Sequence, residues 1–168
     1  MSAGAAATHP GRPAPNIALL LAPLTRGLAE EERPVFLARL ERLAAERYRA
    51  WAQQAPQHAE ALLACAASEE EIAGKAERLF PVSAAQNAKL DALLPEARRV
   101  YGAMFVGLAL REQIALQARA ELQGANVWRA IAAQPGMPET RRDALAVCSA
   151  LEEASAARLD AALAAWDV

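Results

Sequence analysis

Apolar residues recur three and four positions apart along most of the chain, and no stretch shows the strict alternation of a half-buried strand. The spacing predicts a first long helix over 34–55, opened by Pro34, whose fixed backbone angle suits a first turn. The turn "APQH" around Pro56 leads to a second helix over 57–80. In "FPVSAAQNAKLDALLPE", Pro81 and Pro95 interrupt the pattern, and a short helix is expected there. A third, unusually long helix is expected over 95–133. "QPGMPET" at 134–140 is a strong breaker, and Pro138 or Glu139 opens a fourth helix to about 165. Two tight hairpins joined by a longer connection predict an all-α fold, a four-helix bundle with one long crossover.

Part of this pattern is written twice. "ALLACAASEEEIA" (61–73) returns as "ALAVCSALEEASA" (144–156), so that Cys65 and Glu69 stand at one common offset from Cys148 and Glu152. "ERLAAERYRAWA" lines up with "ELQGANVWRAIA" at a slightly shorter offset, Glu41 over Glu121 and Tyr48 over Trp128. The longer "QPGMPET" turn accounts for the difference, and the chain reads as two pseudo-symmetric helical hairpins. Stepping by three and four places Glu69 on the apolar line Leu62, Cys65, Ile72, Ala76 and Glu152 on the line Leu145, Cys148, Ser155, Leu159. Glu121 lies on the inward line of the third helix, and Glu41 nearer the edge of the first. Each helix thus turns one acid inward at about mid-length. A bare buried carboxylate costs several kcal/mol, so such acids need protons, cationic partners or a metal. Arg47 is a candidate partner. The expectation is a shared centre of Glu41, Glu69, Glu121 and Glu152, with Tyr48, Trp51, Trp128, Cys65 and Cys148 lining its pocket.

With Tyr48 seven residues after Glu41, Trp128 seven after Glu121, and Glu69 and Glu152 on the partner helices, residues 34–165 resemble the ferritin-like superfamily. That group includes rubrerythrins and di-iron carboxylate oxidases. The resemblance implies a four-helix bundle with one glutamate on each of two helices and a Glu-x-x-His pair on each of the others. It also implies Glu41, Glu69, Glu121 and Glu152 as metal ligands. The histidine positions of those pairs hold Ile72 and Ser155, so the resemblance is to a degenerate member. His9 falls in the amino-terminal tail and His58 at the first turn, both read as solvated. An all-oxygen centre suits manganese, magnesium or calcium better than an oxygen-activating iron pair. The expected function is therefore binding or assembly without a functional di-iron centre and without a cofactor. The alternative is an oxidoreductase-type metalloenzyme whose carboxylates hold Mn, Mg, Ca or Fe. A third reading is a bundle that binds a small molecule between Tyr48, Trp51, Trp128 and the acids.

Composition narrows the remaining choices. With 54% hydrophobic and 23% charged residues, the 168-residue chain is globular, and 16–168 is expected to form one domain. Residues 1–15, rich in Ala, Pro and Gly without periodicity, are expected to be a disordered tail. A net charge of −2 gives no electrostatic case for nucleic acid or an anionic membrane. "IALLLAPL" is too short for a membrane span, is broken by Pro23 and lacks a preceding basic run, so no signal peptide is expected. Two cysteines do not make a disulfide framework; a reducing cytoplasm is expected, with Cys65 and Cys148 as small buried hydrophobes. Gly124 is read as allowing close helix approach, and Arg98, Arg99, Arg141 and Arg142 as solvated positions. "VYGAMFVGLALREQIALQA" reads as a helix apolar on several sides, to be covered by Ile17–Leu24 and by a second copy in a homodimer. No phosphate loop, Cys-x-x-Cys pair or nucleophile with a histidine base is present, so no catalytic residue is assigned.

Overall fold

The computed structural model describes residues 15–166, and these are helical without any strand. Helix α1 spans Ile17–Thr25, α2 Glu32–Gln54, α3 Ala59–Leu79, α4 Ala84–Ala103, α5 Leu110–Ala132 and α6 Glu139–Ala164. A single 3-10 turn, Pro56–His58, joins α2 to α3. The expected tail lies outside the described residues except for Pro15. No helix among the described residues is long and apolar enough to cross a membrane.

The expected short helix over 80–96 and long helix over 95–133 are both corrected. Helix α4 begins at a capping box, in which the Ser83 hydroxyl accepts from the Gln86 N–H and the Gln86 side chain accepts from the Ser83 N–H. It then runs through Pro95 to Ala103. A proline inside a helix forfeits one hydrogen bond, but Leu90, Ala97 and Tyr101, buried on either side of it, hold both halves in line. The true break comes later, at 104–109. Gly107 sits there at φ +79°, a left-handed conformation that only glycine adopts cheaply. The Glu112 side chain then accepts from the Ala109 N–H at 2.8 Å and opens α5. The run read as one helix apolar on several sides is thus the end of α4, a turn and the start of α5, with Val106 exposed. The single helix that a second copy was expected to cover is split in two.

Helix α2 packs along α3, α5 along α6, and α3 against α6, while α4 lies on α2 and α1 on α4. Arg42 forks onto Glu70 and Glu77, and Arg39 pairs with Glu77 and Asp91, fastening α2 to α3 and to α4. On the other hairpin the Ser149 hydroxyl donates to the Ala125 carbonyl at 3.1 Å, and Arg129 pairs with Glu153.

The interior is divided. One apolar cluster gathers Phe36, Leu43, Ile72, Trp128, Leu145 and Cys148. The other gathers Tyr48, Trp51, Leu62, Cys65, Ile114 and Leu159. Along α2, α3, α5 and α6 alike, the passage from one cluster to the other falls at or close to a glutamate.

Candidate metal centre

Those glutamates are Glu41, Glu69, Glu121 and Glu152, one from each of the four helices. Glu69, Glu121 and Glu152 are buried, and Glu41 is half-buried. One carboxylate oxygen from each of Glu41, Glu69 and Glu152 lies within 4.8 Å of the others. Glu121 stands against the same group, its charge acting on all three. Four acids read from sequence as inward-facing therefore meet in one layer.

Donors reach only part of the layer. The Tyr48 hydroxyl donates to Glu121 Oε1 at 2.6 Å and Gln117 Nε2 to the same oxygen at 2.5 Å. The Trp128 indole N–H donates to Glu152 Oε1 at 3.1 Å. Neither oxygen of Glu69 meets a donor, nor does Oε2 of Glu121. Glu69 touches Glu121 and Glu41, but two ionised carboxylates offer each other only acceptors. A proton or a cation must sit between them.

Burial and mutual repulsion both favour the proton when no cation is there. Burial first, and then the charge of Glu121, pushes Glu41 up to about 8 against the restraining indole of Trp128. Glu69 and Glu152 are raised well above the carboxylate range, again by burial first and by neighbouring acids second.

Gly124 has a more specific part than letting two helices close up. A Cβ at this position would stand 2.6 Å from Glu152 Oε1 and 2.8 Å from its Cδ. The missing side chain is the space that the Glu152 carboxylate occupies.

Arg47 does not reach the acids as a direct partner. Its guanidinium lies over the rings of Phe105 and Tyr101, at 4.3 and 4.5 Å, and touches Gln117 Oε1 at 3.5 Å. The Tyr101 hydroxyl donates to that same oxygen at 3.2 Å. Gln117 therefore links Arg47 and Tyr101 on one side to Glu121 on the other. Gln117 stands four residues before Glu121, on the same helix face, and that spacing is the one signal the sequence holds for it. Tyr101 had none, because its helix was misplaced.

A cavity of about 60 Å³ adjoins the layer, walled by Glu41, Glu121, Glu152, Trp128, Leu37 and Leu40 among others. Of the expected pocket residues only Trp128 belongs to its wall. Tyr48, Trp51 and Cys65 are packed in one apolar cluster and Cys148 in the other. The two cysteines thus lie on opposite sides of the acids, and burial raises both thiols to about 11, which keeps them protonated and poor ligands. Ile72 and Ser155 are fully buried at the places where the resemblance puts histidines. His58 is not solvated: it is buried at the first turn and stacks on Trp166 at 4.5 Å. His9 lies outside the described residues. Arg98 and Arg99 are exposed and paired with Glu46 and Glu96; Arg141 lies over the Phe80 ring, and Arg142 Nε donates to the Met137 carbonyl.

Comparison of the chain with models of protein families, with curated proteins and with solved structures finds no match.

Proposed function

We propose that the chain is a cation-binding protein of ferritin-like arrangement, with α2, α3, α5 and α6 as the bundle and α4 as the crossover. Glu41, Glu69 and Glu152, with Glu121 beside them, would hold one hard divalent cation. Glu69 is the observation that carries this reading. It is fully buried, both of its oxygens lack a donor, and it stands within ligand reach of two further carboxylates. Buried carboxyls kept for structure alone are normally given hydrogen-bond donors.

The donor set argues for the kind of cation. All four groups are carboxylates, and no histidine among the described residues joins them, which favours manganese, magnesium or calcium over an iron pair. Tyr48, Gln117 and Trp128 would orient Glu121 and Glu152 around it, as groups behind a metal's direct ligands do. When bound, the cation would supply two positive charges, offsetting two of the four carboxylates, and the remaining acids would keep protons or the donors they already have. The function proposed is binding, with the metalloenzyme reading as its extension.

The raised proton affinities of Glu41, Glu69 and Glu152 favour a second reading, a layer of shared protons that serves the fold alone. Purified protein titrated with Mn²⁺ separates the two. For a cation site, Mn²⁺ binds stoichiometrically and raises Tm, by roughly 2.7 kcal/mol of stability at a hundred times Kd. The Glu69→Gln/Glu152→Gln variant then loses both effects. A proton layer instead gives no Mn²⁺ binding, and the double variant keeps or gains stability because it removes repulsion without changing shape.

A further inference from the structure

One side of the cavity, which is partly open to solvent, is walled by α1, which belongs to neither hairpin. Ile17 and Leu21 of this helix form part of the wall. Leu21 is set in the apolar cluster of Phe36, Leu20 packs against the cluster of Tyr48, and Ile17 touches both. The helix therefore lies across the carboxylate layer from outside.

Its attachment is limited to packing on α4, to Leu21 with half-buried Ile17, Leu20 and Leu24, and to a few hydrogen bonds at its ends. Helices shorter than about 12–15 residues do not persist alone in water, and α1 has nine residues with Pro23 inside them. Leu21 is its one fully buried residue, and Leu19 is 72% exposed. At its start a single side chain of α5 ties it down: Gln123 Oε1 accepts from the Ile17 N–H at 2.9 Å, and Gln123 Nε2 donates to the Pro15 carbonyl at 3.1 Å. At its far end the chain passes through Gly27, which has open space where a side chain would be. The geometry is that of a flap with a two-bond latch at one end, anchored at the other by buried Leu28 and by Lys89 Nζ, which donates to the Gly27 carbonyl at 3.1 Å.

What lies beneath suits a particular cargo. At roughly 10–15 Å³ per water on the same measure, a cavity of about 60 Å³ holds several waters. Leu37, Leu40 and Val127 give it an apolar side that does not compete for a cation, and Glu41, Glu121 and Glu152 give it an acidic side. Glu121 lines that acidic side, and its Oε2 is buried without a donor. Small divalent cations release their waters reluctantly and in steps.

We propose that α1 is a gate, latched by Gln123, over a vestibule where an entering divalent cation exchanges its remaining waters for the carboxylates. The proposal rests on the reading of the layer as a cation site, and its test separates the two. Gln123→Ala removes both latch bonds and touches no proposed ligand. In metal-free protein carrying Trp51→Phe and Trp166→Phe, Trp128 is the sole indole, and its quenching by acrylamide reports access to the cavity without any metal. The latch variant is expected to raise the quenching constant several-fold and to quicken amide exchange in 17–25, leaving α2–α6 protected. Mn²⁺ uptake and release, followed by the free-ion paramagnetic signal, are both expected to speed up about tenfold, the scale of two lost hydrogen bonds, with Kd unchanged. Gln123→Glu, which keeps the acceptor for Ile17 and loses the donor to Pro15, should fall between. Unchanged quenching and unchanged rates overturn the gate, and so does a Kd altered because only one of the two rates has changed. If wild-type protein binds no Mn²⁺ while quenching still rises, α1 stands as a gate but the cation reading of the layer falls.

Discussion

Glu152 and Gly124 work as one unit contributed by two helices. With the added Cβ 2.6 Å from a carboxylate oxygen, Gly124→Ala must displace Glu152 or spread α5 from α6. Overpacking of this kind costs about 1–3 kcal/mol, and the expected signs are a lower Tm and at least tenfold weaker Mn²⁺ binding by titration. Gln117→Leu is expected to destabilise by about 1–3 kcal/mol, since it strands the Tyr101 hydroxyl and removes a donor from Glu121. Chemical denaturation measures it. Glu41 fixes a pH dependence. Its pKa rises from 4.5 when unfolded to about 8 when folded, so between those values the folded state holds the extra proton. The stability that Glu41 contributes to the metal-free protein is then fully present below about 4.5 and is lost as pH climbs through about 8. Metal must displace that proton, so Mn²⁺ affinity should rise over the same window. Denaturant midpoints and Mn²⁺ titrations at pH 5, 6.5 and 8 check both slopes. At this scale the four acids were legible because a charge inside an apolar stripe has few explanations. Gln117 was not, because an inward amide reads equally well as a helix edge. Gly124 was misread because a helix line shows that side-chain volume is missing but not what fills the space.

Helix starts and stops followed local chemistry, and that chemistry was only partly visible. The bounds of α2, α3 and α6 came out within a few residues because prolines and the "QPGMPET" turn mark them. The stretch between Phe80 and Leu110 did not. Pro95 was weighed as a breaker although buried Leu90, Ala97 and Tyr101 overrule it, and the break at Gly107 was hidden inside a continuous apolar run. Periodicity cannot reveal a turn that itself carries buried apolar residues, as this one carries Met104 and Phe105. Gly107→Ala tests this element directly. A left-handed residue with a Cβ costs about 1–2 kcal/mol, so thermal melts should show a loss of that order. Pro95→Ala should leave the fold intact and stabilise it, because it restores the missing hydrogen bond without altering a buried contact. Circular dichroism and the same melts report the outcome.

Across the whole molecule, the duplicated pattern brought two hairpins together so that each supplies two of the four acids. The doubled cysteines did not meet, because the hairpins set them in apolar clusters on opposite sides of the layer. That arrangement also bears on how the helices find their alignment. Their packing faces are rich in alanine, and faces so uniform in shape fit almost as well after sliding by one turn, about 5.4 Å. Such a slide would drive a glutamate among Phe36 and Leu43 or among Leu62 and Ile114, away from Tyr48, Gln117 and Trp128. An isolated carboxyl buried there costs several kcal/mol. The layer therefore acts as a vernier, permitting one lengthwise setting of four otherwise slippery rods. Replacing all four acids with leucine should give a protein that melts higher yet samples several settings, seen as broadened and multiplied amide resonances.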